Sequence, residues 1–190
     1  MKHLLLLFLL CTSALIEKTF YEKLSDAAIS ITKNKVDYDG KYYKIPYPNG
    51  DVPKDKGVCT DVVIRSYRKL GIDLQKEVHE DMKKNFSKYP KNWGLKGTDT
   101  NIDHRRVPNL QVFFTRKGEV KPATKKASDY KPGDIVTWML SGNLPHIGIV
   151  VNKPSKRGYA YQVVHNIGSG QEVEDCLFNY KITGHYRYKK

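Results

Sequence analysis

Cys59, His146 and His165 supply the three side-chain types that thiol-based acyl transfer needs. These are a nucleophile, a base that holds its proton, and a polar neighbour that fixes the base's tautomer. Cys59 sits at the threshold of Gly57 to Gly71, in which Val62, Val63, Ser66, Tyr67 and Leu70 recur at helical spacing and Gly71 supplies the stop. A thiol in the first turn of a helix faces unpaired backbone N–H groups and the positive end of the macrodipole, and both favour thiolate. Read alone, the same stretch also suits a buried structural cysteine. His146 begins the run His-Ile-Gly-Ile-Val-Val. Strand alternation there puts His146, Gly148 and Val150 on one face and Ile147, Ile149 and Val151 on the other. Gly148 leaves room for a ligand or a second backbone. The run Val163 to Asn166 offers His165 as third member, and Asn166 as its alternative.

Around this trio stand residues that could hold a substrate. Asp61 either contacts a substrate amine or complements the first turn of its helix. Asp103, His104, Arg105 and Arg106 crowd the approach to a helix that Pro108 can open. That density suggests an anion-binding or site-lining segment, or else a solvated loop with a local Asp103–Arg pair. Tyr47 belongs to a tyrosine-rich loop before Cys59 that can line a groove or pack on the core. A zinc set of Cys59, His146, His165 and His104 lacks a close-spaced ligand pair, so no metal and no cofactor is expected.

The elements that must position these groups follow from periodicity. A first amphipathic helix within residues 17–35 carries Phe20, Leu24, Ala27, Ala28 and Ile31. A short strand and long loop lead to the Cys59 helix. Asp73 then caps a helix bearing Leu74, Val78 and Met82. Residues 85–100 read as loop with Trp93 as anchor, and a helix follows with Leu110, Phe113 and Phe114. Beyond the turn Tyr130 to Asp134, strands are expected at 135–140, 146–151, 159–165, about 172–177 and 182–188. The expectation is an α+β fold, with N-terminal helices packed on an antiparallel sheet of about five short strands.

The 190 residues suffice for one domain. Met1-Lys2-His3, the apolar Leu4 to Leu10 and Cys11-Thr12-Ser13-Ala14 read as a signal peptide over 1–14. A single catalytic domain over 15–190 remains, with 15–56 as its helix and loop extension. The apolar run is too short for a stable membrane span. The protein is therefore expected in the periplasm or outside the cell. Cys11 permits a lipoprotein anchor, against which the bulky Leu9-Leu10 pair argues. Without Cys11, Cys59 and Cys176 remain, as one disulfide or as two separate thiols. The net charge of +13 is spread in small clusters such as Lys83-Lys84 and Lys125-Lys126. It points to an acidic envelope polymer, or to a merely basic surface; no nucleic-acid motif accompanies it, and a monomer is expected.

The order of helix-borne Cys59, the Pro132-Gly133-Asp134 turn, the His146-Ile147-Gly148-Ile149 strand and a strand ending in His165 resembles the NlpC-type branch of papain-like cysteine peptidases. That branch comprises bacterial cell-wall endopeptidases. Cys59-Thr60-Asp61, Asp103 to Arg106 and His165 to Gly170 also resemble a bacterial envelope family of unassigned function beside it. The resemblance implies a papain-like fold from about Gly57 onward. It makes Cys59 the nucleophile, His146 the general base and later acid, and His165 the orienting residue. The expected substrate is a peptidoglycan-type peptide, with Arg105 or Arg106 meeting its carboxylates. The branch commonly has Asp before the cysteine and Ser-Gly after it, where this chain has Val58, Thr60 and Asp61. A non-catalytic wall-binding module and an acyltransferase or amidase are the alternatives.

Overall fold

The computed structural model describes residues 17–156 and 158–190. The leader expected over 1–14, its cleavage near Ala14 and the Cys11 anchor lie outside them. Among the described residues no helix is long and apolar enough to cross a membrane.

Four helices precede the main sheet. Helix α1, Phe20–Ile31, starts in a reciprocal cap in which Thr19 Oγ1 accepts from the Glu22 N–H and Glu22 Oε2 accepts from the Thr19 N–H. Its Leu24, Ala27, Ala28 and Ile31 turn inward, as their spacing requires. Helix α2, Cys59–Arg68, follows a pair of two-residue parallel strands, β1 (Asp37–Tyr38) and β2 (Lys56–Gly57). Asp73 caps helix α3, Leu74–Lys84, through the Lys76 N–H. Helix α4, Val107–Lys117, opens with Pro108 in its first turn.

Strands β3 (Glu119–Val120), β4 (Ile135–Leu140), β5 (Leu144–Pro154), β6 (Tyr161–Asn166), β7 (Gln171–Glu174) and β8 (Lys181–Arg187) form one antiparallel sheet in the order β3-β8-β4-β5-β6-β7. The α+β class is as the sequence reads, and the sixth strand is β3. Its two residues are both exposed, too few and too solvated for alternation to reveal. The turn before β4 is structural: buried Asp134 accepts from Lys131 N–H, His185 Nε2 and Arg187 Nε, pinning β4 to β8.

Alternation divides the interior in two. Ile147, Ile149, Val151 and Val164 join Cys59, Val62, Val63, Tyr67, Leu110 and Phe114 in a core between helices and sheet. Val150 and Val163, with Tyr130, Val136, Trp138, Cys176 and Leu177, build a smaller core on the other face. Helix α2 packs on β5 and β6, so the interior sheet strands serve as its bed. Two expectations about aromatic residues are overturned. Trp93 is 58% exposed in a left-handed backbone conformation, and so anchors nothing in the core. Tyr47 lies at the surface with its ring against His79.

Candidate active site

Cys59 is the first residue of α2, and Val58, its cap, has no side-chain acceptor for the free N–H groups. Asp61 reaches back instead, its Oδ2 accepting from the Val58 N–H at 2.7 Å. The start of the helix is thus held by the residue two places beyond the sulfur. Burial pushes the Cys59 thiol up to about 12, outweighing the backbone N–H groups of Ile147, Thr60 and Cys59 itself, which favour thiolate. The helix start therefore favours thiolate, but by less than burial opposes it. At neutral pH the resting sulfur is a thiol.

His146 stands near the beginning of β5, one residue before the Ile147 N–H that faces the sulfur. Its Nε2 lies 2.8 Å from His165 Nδ1, and His165 Nε2 lies 2.7 Å from Glu174 Oε2. This line of three groups crosses β5, β6 and β7 on the face that carries Trp138, whose ring lies 5.9 Å from that of His146. Gly148 makes the line possible: a Cβ there would come within 2.7 Å of Val163 Cγ1 and 3.1 Å of His165 Cβ. The room expected at Gly148 is thus filled by the neighbouring strand. Among the described residues no hydrogen bond joins Cys59 to His146. The structure brings His146 and His165 together, and brings the sulfur to the peptide adjoining His146.

Asn166 points to the other face, donating to the Gly57 carbonyl at 3.3 Å and accepting from the Gly168 N–H. It ties the end of β6 to the segment entering Cys59. Cys176 and Cys59 are separate free thiols on opposite faces of the sheet. Cys176 Sγ is 3.7 Å from His165 Nε2.

The polar cluster before α4 folds inward rather than into solvent. Residues Asp103–Arg105 form a buried 3-10 turn. Arg105 Nε and Nη2 donate to Asp61 at 3.0 Å, with side chains only 2% and 4% exposed; Nη2 also reaches the Asp39 carbonyl and Nη1 the Lys41 carbonyl. Asp61 and Arg105 therefore complete each other; Asp61 is closed off by the pair, while Arg105 still borders the cavity beside Cys59. Asp103 accepts from the Asp99 N–H and pairs with His79 Nδ1. His104 is buried with Nδ1 unpartnered. Arg106 differs: its guanidinium stacks 4.3 Å over Trp93 and faces a cavity of about 200 Å³. Tyr38, Cys59, Trp93, Arg105, Arg106 and Pro145 line that cavity, and Tyr47 does not.

Two further clefts lead toward it. One of about 660 Å³ is lined by Lys33, Lys35, Lys54 and Lys69, and one of about 500 Å³ shares Lys35 and Gln171 with it and Tyr38 with the Cys59 cavity. Sequence reading missed Tyr38, Glu174 and Cys176. A strand reading of 172–177 puts Glu174 and Cys176 on one face by their spacing of two, which was the available signal.

Burial of the two imidazoles makes stability depend on pH. His146 is lowered to about 3 by burial and by His165 beside it, and His104 to about 3 by burial and the Arg105 charge. Both are neutral in the fold and protonate near 6.5 when unfolded, so the unfolded chain binds more protons between those values. The stabilisation is present above pH 6.5 and is lost as pH falls toward 3. Thermal unfolding followed from pH 7 to pH 4 should show a steadily falling Tm, with a shallower slope in His104→Gln. A flat profile in both would contradict the neutral buried state.

Residues 25–188 match the family described as "Domain of unknown function (DUF1287)". A relative from Escherichia coli (strain K12), named "Uncharacterized protein YijF", is 50% identical over 165 residues, covering 87% of this chain and 80% of that protein. Among solved structures, NlpC1 from Trichomonas vaginalis aligns with a TM-score of 0.49 at 17% identity. That alignment covers 93% of this chain and 47% of the other, so the chain spans about half that protein's length. The family match takes in Cys59-Thr60-Asp61, the Asp103 to Arg106 turn and the His165 to Gly170 stretch together. The chain belongs to the DUF1287 family.

Proposed function

We propose that this protein is an exported cysteine hydrolase that cleaves an amide bond in peptidoglycan-type peptides. The observation that carries the reading is the meeting of a helix-initial Cys59, opening on a cavity, with the His146–His165–Glu174 line one residue from the N–H that its sulfur faces. The line has a consistent proton assignment. Glu174 accepts from His165 Nε2–H, His165 Nδ1 accepts from His146 Nε2–H, and His146 Nδ1 keeps a lone pair for the thiol proton. Cys59 then attacks the carbonyl, and backbone N–H groups at the start of α2 receive the oxyanion. The imidazolium so formed protonates the leaving amine, and water releases the acyl-enzyme. Both members are neutral at rest, and the His146 line lies on the sheet face opposite Cys59, so the transfer requires the start of β5 to turn the His146 ring toward the sulfur when substrate binds.

Substrate recognition falls to Arg106. Trp93 braces its guanidinium at the cavity, and one of its nitrogens, Nη1, is buried without a partner, which suits a peptide carboxylate. The lysine-lined cleft beyond Tyr38 suits an acidic envelope polymer from which such a peptide branches. The chain is read as one exported catalytic domain over 15–190, acting as a monomer in the periplasm or outside the cell.

A wall-binding module that does no chemistry is the second reading, favoured by the protonated thiol and the absence of a direct Cys59–His146 bond among the described residues. Digestion of purified sacculi, followed by mass spectrometry of released muropeptides, separates the two. Wild type should release peptides and Cys59→Ala should release none, with Tm near wild type. Equal release by both, or by neither, overturns the hydrolase reading.

A further inference from the structure

We propose that His165, Glu174 and Cys176 form a binding site for a thiophilic divalent cation of the zinc type. One ligand atom from each residue lies within 4.8 Å of the others. The separations suit a tetrahedral ion. Metal–nitrogen and metal–sulfur bonds of about 2.0 and 2.3 Å set adjacent ligand atoms roughly 3.5 Å apart, and His165 Nε2 to Cys176 Sγ is already 3.7 Å. Glu174 Oε2, at 2.7 Å from the same nitrogen, must withdraw by under about 1 Å to meet that spacing. It is free to do so, because the Glu174 side chain is 42% exposed while the other two ligands are buried. The exposed carboxylate also marks the side from which an ion enters.

The surroundings support three protein ligands and an open fourth position. Asp175 points away and holds the turn, accepting from Ser155 Oγ and the Lys156 N–H. His165 Nδ1 meets His146 Nε2, the outer-shell contact that fixes the ring of a metal-bound histidine. A metal takes the Cys176 sulfur as thiolate, so binding releases the thiol proton.

The consequence for catalysis rests on the hydrolase reading. Ligation uses the His165 Nε2 lone pair, so His165 carries its proton on Nδ1 and donates it to His146 Nε2. His146 then carries its own proton on Nδ1, the nitrogen assigned as the base. No proton is gained or lost by the two rings. An occupied site therefore holds the base in its inactive tautomer, and the metal acts as an inhibitor.

The test uses the full chain, stripped with chelator and titrated with Zn²⁺ or Co²⁺ alone. Wild type and Cys59→Ala should bind one ion per chain and show the near-ultraviolet cobalt–thiolate absorption. Cys176→Ser, which preserves size, should lose that absorption and at least about tenfold in affinity, the loss that follows even from removing an outer-shell partner. Glu174→Ala should weaken binding as well. Absence of the band in wild type, its persistence in Cys176→Ser, or its loss in Cys59→Ala overturns the site. These readouts need no substrate, so they stand or fall apart from the hydrolase reading. In the sacculus assay Zn²⁺ should slow wild type and spare Cys176→Ser; equal inhibition of both overturns the link to His165.

Discussion

Asp61→Ala should destabilise the protein by about 3–5 kcal/mol, the usual cost of breaking a buried ion pair from one side. The Asp61 carboxylate meets Arg105 through three contacts of 3.0–3.3 Å and also holds the Val58 N–H at 2.7 Å. Without it the Arg105 guanidinium is left charged and buried, and the first turn of α2 loses its acceptor. Damage spreads to the loop before Cys59, because Arg105 grips the carbonyls of Asp39 and Lys41. Asp61→Asn, which keeps an acceptor for Val58 and gives up the charge, should fall between. A double replacement of Asp61 and Arg105 by Leu and Met removes both charges and should recover much of the loss. Urea unfolding monitored by far-ultraviolet circular dichroism measures all three. If Asp61→Ala costs less than about 1 kcal/mol, the pair behaves as an exposed one and the account of the helix start fails.

This pair marks the boundary of what the sequence could tell. Elements with strong periodicity were legible: the Leu74, Val78 and Met82 face of α3, the apolar face of α2 and the alternation through His146 to Val151 all fold as their spacing requires. Cys59 stands at the first position of α2, and the ends of β5 and β6 carry His146 and His165 side by side. Partners joined only by tertiary structure were not legible. Asp61 and Arg105 are 44 residues apart, and a dense run of charges reads as solvated until a 3-10 turn tucks it beneath α2. Placing Glu174 beneath His165 requires the β6–β7 register, which follows from a reversal through Gly168 and Gly170, both at positive φ. Trp93 shows the converse error: an aromatic residue in a loop suggests an anchor, while here its ring supports Arg106.

The largest effect on activity is expected at His146. His146→Ala should lower kcat/KM on muropeptides by about 10²–10⁴-fold, the usual contribution of a positioned acid–base group. The loss should fall on kcat, since His146 is buried and does not line the cavity of Arg106 and Trp93. His165 acts through His146 and is a positioning residue, so His165→Ala should cost less. His165→Asn should restore part of that loss, because an amide oxygen can accept from His146 Nε2–H. Glu174→Leu should shift the pH dependence of kcat, since His165 loses the carboxylate 2.7 Å from its Nε2 that selects its tautomer. Glu174→Gln, still offering an oxygen, should shift it less. A purely structural role would lower Tm across the series without ordering the rates His146→Ala below His165→Ala below His165→Asn, or moving the pH profile. Full kcat in His146→Ala would remove the base from the mechanism and leave Cys59 without its proton acceptor.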